Sequence, residues 1–389
     1  MAVPLSYSVR NIRVRWRLTL LAVVGITLVV AVFAVLMAMS EGFSTALRSS
    51  GRTDNAIIVA RGSASEMLSE VTPDERSLIL ADDRLARGTG GQVKASGESV
   101  MIMSLRKRTD GRRTNVTLRG VPPQGFEVRG GIRVTSGRSF TPGLAEVIVG
   151  RRIRDRVRGL EVGDTFQYRR RDFKVAGVFE SVGAAFESEV WGDFATLGAL
   201  LNRQILYNCL VVRMKDPADI PAFDRWIRSL PGSSLQAVPE RLYYENQGGH
   251  VAMVLRALAR LVAVVMGVGA VFGAMNTMYA IVAARTREIG TLRALGFSRR
   301  AILLSFVAES ALLALIGGAL GCLLALTAHG YTTGVSNLQT FREVAYAFRI
   351  TPAIVGAGMA FALVMGVAGG LLPSLRAARL SIAAAVREG

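Results

Sequence analysis

Histidine and cysteine are nearly absent. The 389-residue chain has two of each, and no histidine lies between residues 1 and 249. A serine–histidine or cysteine–histidine nucleophile therefore cannot assemble within that stretch. No cysteine–histidine cluster is available to bind zinc, so no metal site is expected. Cys209 lies in a polar region and Cys322 in an apolar run. They are expected in different compartments, which argues against an intrachain disulfide. His250 and His329 border apolar runs, where an interfacial side chain is the plainer reading than a metal ligand. Aromatic residues make up only 7%. The arginines are not interleaved with them, and no nucleic-acid partner is expected. A G-x-x-x-x-G-K-[ST] phosphate loop is missing from these residues, which excludes that way of cradling ATP and with it a catalytic ATPase site of that kind.

What is abundant is apolar and basic. Hydrophobic residues reach 51%, the net charge is +18 and the pI is about 11. This combination fits a membrane protein with basic flanks. Leu18–Met39 is a run of 22 residues without a charge, about 33 Å long as a helix, enough for a bilayer core. A signal peptide would have an apolar core of only about 7–15 residues, so a retained span is expected. Three further runs follow: Leu261–Ala284, Ala301–Ala328 (interrupted by Glu309) and Ile350–Leu375.

Orientation follows from the short flanks. Residues 1–17 carry Arg10, Arg13, Arg15 and Arg17, the loop 285–300 carries five arginines against Glu288, and the tail 376–389 carries Arg376, Arg379 and Arg387 against Glu388. With spans at 18–39, 251–284, 301–328 and 350–375, these three basic segments share one side, which the positive-inside rule makes cytoplasmic. Both termini are then cytoplasmic, in a multi-pass protein of the inner (cytoplasmic) membrane. The domain 40–250 and the short loop 329–349 lie outside. The expected fold class is membrane α-helical with four transmembrane helices, plus a mixed α+β extracytoplasmic domain inserted between the first and second spans.

Within 40–250, β-branched and aromatic runs bounded by glycines predict strands at Asn55–Ala60, Ser99–Leu105, Thr114–Leu118, Glu146–Val149, Thr165–Tyr168, Phe173–Phe179 and Ile205–Met214. Helices are expected at Thr72–Leu85, Asp193–Asn202 and Pro217–Leu230, the last stopped by Pro231–Gly232. Gly150–Arg158 is dense in arginine, and Arg169, Arg170 and Arg171 follow. These charges either bind lipid headgroups or an acidic partner, or form a solvated helix face and a strand edge that deters aggregation. The second reading is the plainer one. Glu240–Leu258 looks helical and merges into the second span. It serves as a rigid lever or, through Arg256 and Arg260, as an interfacial anchor.

Glycine pairs four apart recur in the spans: Gly269 and Gly273, Gly317 and Gly321, Gly366 and Gly370. Such pairs let helices approach closely in lipid. Glu309 is an intramembrane carboxylate, a functional candidate by default. It reads as a lone carboxylate without an intramembrane basic partner, which weighs against a proton relay and for a place at a helix interface or in the headgroup layer.

The loop ARTREIGTLRALGFSRR, residues 284–300, is amphipathic. Ile289, Leu292 and Leu295 recur at three-residue spacing, and Gly296 is a natural stop. A short cytoplasmic helix with an apolar stripe needs a partner or the membrane surface. Here the chain resembles the MacB-type (type VII) permease family of ABC transporters, which includes macrolide exporters, lipoprotein-releasing permeases and FtsX proteins. Asn276–Gly321, the tail from Pro373 and NIRVRWRLTLL from Asn11 carry the resemblance, with Glu146–Phe166 and Phe173–Glu180 in the external domain. The resemblance implies a permease, itself not an enzyme, that couples ATP hydrolysis in a separate ATPase subunit to movement of the external domain. Coupling would pass through Glu288, Ile289, Gly290, Leu292, Arg293, Leu295 and Gly296. It further implies two ATPase copies holding ATP and Mg, a second permease subunit identical or similar to this one, membrane lipids as surroundings, and a periplasmic adaptor or cargo-accepting protein. The chain itself would hold no cofactor. The cargo would be lipid-like, a lipoprotein or a small toxic molecule. FtsX-like signalling to a cell-wall hydrolase is the alternative.

Overall fold

The computed structural model describes residues 16–63, 65–200, 207–336 and 343–380. Residues 1–15 of the basic N-terminal segment 1–17, the tail beyond residue 380 and the start of the expected strand Ile205–Met214 lie outside the described residues. The chain divides into two units. One holds the residues up to Glu41, Met253–Tyr331 and those from Phe348 onward; the other holds Gly42–Ala252 with Thr332–Ala347.

In the first unit, four helices are long and apolar enough to cross a bilayer: Thr19–Arg48, Val251–Ala283, Arg299–Leu326 and Pro352–Arg379. The backbone helices differ from the uncharged windows. The first runs Trp16–Arg48 rather than 18–39, and the second Glu240–Ala283. Charge marks where a helix leaves an apolar layer, while its backbone bonds continue until a stop signal. Ser298 caps the third helix by accepting from the Ala301 amide. Thr351 caps the fourth, with Pro352 at the first turn, where its missing N–H costs nothing.

Glycine sets how closely the spans approach. A Cβ on Gly321 would lie 2.7 Å from the Thr27 carbonyl, and one on Gly317 3.0 Å from the Val23 carbonyl, so the third span lies against the first. On the fourth span a Cβ at Gly366 would lie 2.3 Å from the Ala314 Cβ, and at Gly370 1.9 Å from the Ser310 Oγ. Ser310 Oγ also donates to the Gly366 carbonyl at 2.9 Å. Gly269 and Gly273 differ: nothing lies within 4 Å of their Cβ positions. They line an open groove with Leu21, Gly25 and Val29.

In the second unit, ten strands form one sheet. In chain order they are β1 (Asn55–Ala60), β2 (Ala95–Arg106), β3 (Arg113–Val121), β4 (Arg133–Gly137), β5 (Glu146–Gly150), β6 (Thr165–Tyr168), β7 (Arg171–Glu180), β8 (Glu189–Asp193), β9 (Cys209–Arg213) and β10 (Leu235–Pro239). The spatial order is β10-β1-β9-β2-β3-β8-β5-β7-β4, with β6 on β7. β2 serves both halves: residues 95–98 pair with β9 and residues 99–106 with β3. Strands such as β1 are buried on both faces, which is why NAIIVA reads as a continuous apolar run rather than an alternation. Ala56 and Ile58 join a core with Phe223 and Ile227 of the helix Ile220–Ser229; Ile57 and Val59 join another with Trp191 and Tyr244. A third core holds Met103, Leu118, Val149 and Phe173.

Residues 329–349 are not merely a loop. β11 (Thr332–Ser336) and β12 (Glu343–Ala347) form a hairpin that belongs to the second unit. The Ala345 amide donates to Ser188 Oγ at 2.9 Å, and the Tyr346 ring meets Phe43 edge-on at 5.3 Å. The stretch is too short and small in side chain to announce this packing. The sequence reading also lacks β4, β8 and β10.

Gly370→Ala is expected to lower the Tm of the purified chain in detergent, at a cost of about 1–3 kcal/mol, because the Ser310 side chain must yield. Gly269→Ala serves as the control and is expected to leave the Tm unchanged.

Candidate functional site

Two buried charged centres stand out, one in each unit. In the second unit, Arg119 of β3 and Arg129 of the short helix Gly125–Arg129 are withdrawn from solvent together with Glu66, Glu98, Glu189 and Glu240. Arg119 donates from Nε to Glu189 at 2.7 Å and from Nη1 to Glu98 at 2.9 Å, and its Nη2 reaches Glu66 at 3.1 Å. Arg129 donates from Nη2 to Glu98 at 2.6 Å and from Nη1 to Glu240 and to the Tyr244 hydroxyl. Tyr244 in turn donates to Glu66 at 2.6 Å. Trp191 Nε1, Ser96 Oγ and Asn55 Nδ2 donate to Glu189, Glu98 and Glu240. The Phe186 ring lies under both guanidinium groups, 5.5 and 5.0 Å from their centres.

Four carboxyls face two guanidiniums, so pairing alone leaves negative charge in excess. Burial pushes the Glu240 carboxyl above its ordinary value, and Arg129 only partly offsets this. Burial also pushes Glu98 upward, but the attraction of Arg129 and Arg119 outweighs it, and the net shift is downward. Both arginines are held well above their ordinary values: burial opposes this, and the surrounding carboxylates overcome it. A buried ion pair contributes little net stability but is costly to break. The cluster fixes relative positions: it joins β2, β3, β8 and the turn at Glu66 to Glu240 and Tyr244, which open the long helix Glu240–Ala283.

The sequence reading missed this centre. A usable signal existed in strand parity: Arg119 shares the face of Val121, while Leu118 and Val116 enter the opposite core. A charge on an apolar face asks for a buried partner.

Beside this cluster lies a cavity of about 580 Å³ lined by Met67, Met101, Phe194, Leu197 and Tyr207. The Phe194 and Tyr207 rings stack 4.8 Å apart. Asn208, also in its wall, accepts from the Val100 amide and donates to the Met67 and Ser69 carbonyls. Its lining is thus mainly apolar.

In the first unit, Glu309 is not alone. Arg285 donates from Nη1 to Glu309 at 3.0 Å and from Nε to Glu288 at 3.0 Å, and its guanidinium lies 4.9 Å from the Phe306 ring centre. Arg285 and Glu309 are both buried. The expectation of a lone carboxylate is therefore corrected: the partner sits in the loop preceding the third span, and sequence distance hid it.

The loop helix spans Thr286–Ala294. It ends as the glycine signal implies: Gly296 has φ +90°, the Phe297 amide donates to the Leu292 carbonyl and the Gly296 amide to the Arg293 carbonyl. This double closure is a Schellman motif. The expected stripe is split. Ile289 is buried with Met278, Ile302, Phe306 and Ala377, and Leu292 packs partly against that group, whereas Leu295 is 72% exposed. Glu288 and Gly296 are exposed, Gly290 is buried and Arg293 is half-buried.

The chain thus combines four membrane-spanning helices with a mixed α/β domain inserted between the first and second. Residues 19–230 match the MacB-like periplasmic core domain, and residues 260–382 the FtsX-like permease C-terminal region. The chain belongs to the MacB-type permease family of ABC transporters. It is 25% identical over 392 residues to the macrolide export ATP-binding/permease protein MacB of Neisseria gonorrhoeae, covering 95% of this chain and 58% of that protein. It is 39% identical over 130 residues to the pyoverdine export ATP-binding/permease protein PvdT of Pseudomonas putida, covering 33% and 18% of the two chains. The periplasmic region of MacB from Actinobacillus actinomycetemcomitans aligns with a TM-score of 0.36 at 14% identity, over 51% of this chain and 94% of that one.

Arg129→Met is expected to destabilise the protein by about 3–5 kcal/mol, because it strands buried carboxylates. Burial already holds Glu240 above its ordinary value with Arg129 as the largest offset, so loss of Arg129 raises its folded pKa further. A carboxyl so shifted stabilises the fold at low pH and loses that contribution as pH rises through the folded pKa. The Tm deficit of the variant is therefore expected to be larger at pH 8 than at pH 5.

For the second centre, Arg285→Met and Glu309→Leu are each expected to lower the Tm, and the double variant by less than the sum. A double-mutant cycle in detergent measures the coupling, and strict additivity would remove the pair.

Proposed function

We propose that the chain is the membrane and extracytoplasmic part of an ABC exporter that works by mechanotransmission. ATP and Mg are bound by an ATPase lying outside these 389 residues. Two ATPase copies dock at the loop 286–296 of two permease subunits, identical or similar. Both ends of the chain face the cytoplasm at the inner membrane, as the basic flanks support. ATP-driven closure moves the extracytoplasmic domain, which expels a lipid-like, lipoprotein or small toxic cargo, with a periplasmic adaptor or accepting protein as the receiving partner. Relatives named for macrolide and pyoverdine export favour this over FtsX-like signalling, and the apolar cavity beside Phe194 suits an amphiphilic cargo.

The observation that carries the reading is the division of labour in the loop helix. Ile289 is buried against the ends of the spans, while Leu295 points no large contact inward and is left exposed. An exposed leucine beside exposed Arg287, Glu288 and Thr291 offers an apolar contact within a polar rim, as a docking surface requires.

Leu295→Asp is expected to leave the Tm and membrane insertion intact, to abolish co-purification of the ATPase and to stop transport, because docking would bury an unpaired charge. Leu292→Asp is the less selective variant, since Leu292 also packs internally. Full assembly and transport by Leu295→Asp would show that coupling enters elsewhere.

A further inference from the structure

The arginine runs separated in the sequence meet in space. The tip of the β2–β3 hairpin is stitched to residues 154–158. The Arg108 amide donates to the Arg156 carbonyl at 2.8 Å, the Arg158 amide to the Arg106 carbonyl at 3.0 Å, and the Arg108 Nε to the Val157 carbonyl at 3.0 Å. The β6–β7 hairpin is fixed to the same end of the sheet. Its Tyr168 hydroxyl donates to the Ile102 carbonyl at 3.0 Å, and Tyr168 packs with Leu105 against the core that holds Val157. Residues 106–113, 154–161 and 169–172 together carry eleven basic side chains against four acidic ones.

Some of this charge is paired internally, as in Arg108–Glu161, Arg112–Asp110 and Arg154–Asp155. Among the described residues, Arg113, Arg158, Arg169, Arg170 and Arg171 have no carboxylate within ion-pair distance. All five are exposed.

The backbone at the tip is a second observation. β6 and β7 are joined by the two residues Arg169 and Arg170, with Tyr168 opposite Arg171. Their φ angles are +47° and +63°. A two-residue turn with both angles positive is type I′, which Asn–Gly fills without strain and which side chains such as arginine fill at a cost. Arginines thus stand where the fold alone would favour other residues. Strain of this kind gathers at functional positions.

The surroundings narrow the partner. Among the described residues, none of the exposed large apolar side chains falls within these three segments, and Val162 alone borders one of them. Protein interfaces anchor on aromatic and aliphatic groups, and helices that insert into membrane surfaces carry apolar ones. A row of guanidiniums with neither instead matches repeated phosphates, which accept paired N–H donors. We propose that this end of the extracytoplasmic domain docks a polyanion of repeated phosphates in the cell envelope.

The test uses the full chain in nanodiscs of zwitterionic lipid and fluorescein-labelled poly(glycerol phosphate) as the probe, read by anisotropy. Arg169→Asn with Arg170→Gly is expected to weaken binding about tenfold, as loss of two charge-assisted contacts implies, while the Tm holds or rises. Arg171→Ser, outside the turn, is expected to weaken binding about threefold, and keeps the test open if the double variant fails to fold. Arg87→Ser with Arg225→Ser removes the same charge from the other half of the sheet and is expected to leave affinity unchanged. Equal losses in that control, or unchanged affinity in the turn and Arg171 variants, would overturn the proposal. So would a wild-type chain that ignores the polymer while binding anionic vesicles or an acidic protein through these arginines.

Discussion

Charge burial at Arg119 and Arg129 constrains the extracytoplasmic unit more than any single apolar contact. An apolar core tolerates exchange of one aliphatic side chain for another of similar volume. A cluster in which two guanidiniums satisfy four carboxyls tolerates little, since each donor has one place to go. The cluster draws together strands from both halves of the sheet and the opening turn of the helix Glu240–Ala283. A helix that opens with a buried, bonded glutamate cannot rotate about its axis without dismantling the cluster. The net gain in stability from such an arrangement is small. Its effect is stiffness where the helix Glu240–Ala283 begins.

The membrane unit follows a different logic. Lipid supplies no hydrophobic drive between helices, so contact is won by small side chains and close backbones. Gly317 and Gly321 bring the third span to the first, and Gly366 and Gly370 bring the fourth to the third. Arg285 and Glu309 add one charged tie near the loop helix. That tie places charge, ring and helix end together at the loop helix Thr286–Ala294.

Much of this was legible in the sequence, and the omissions share a cause. β1 and β6 match their expected ranges residue for residue because each is bounded by turns and rich in β-branched or aromatic side chains. The spans were readable from charge-free length, and the stop at Gly296 from glycine alone. What escaped were pairings between distant residues: Arg285 with Glu309, Arg119 with Glu66, Glu98 and Glu189, and Ala345 with Ser188. A single sequence carries propensity and period, which are local, whereas an ion cluster is defined by which strands become neighbours. The split of Ile289 from Leu295 belongs to the same class, since periodicity shows that a face is apolar and not what covers it.

The hairpin β11–β12 has a consequence for biogenesis. A ribosome delivers Gly42–Ala252 first, then the second and third spans, and only afterwards the residues from Thr332 to Ala347. The extracytoplasmic unit therefore waits, with the places for Ala345 and Tyr346 open, while two membrane crossings are threaded. Ser188 Oγ and the edge of Phe43 stay unoccupied through that interval. The domain is thus complete only after the two helices between have been synthesised.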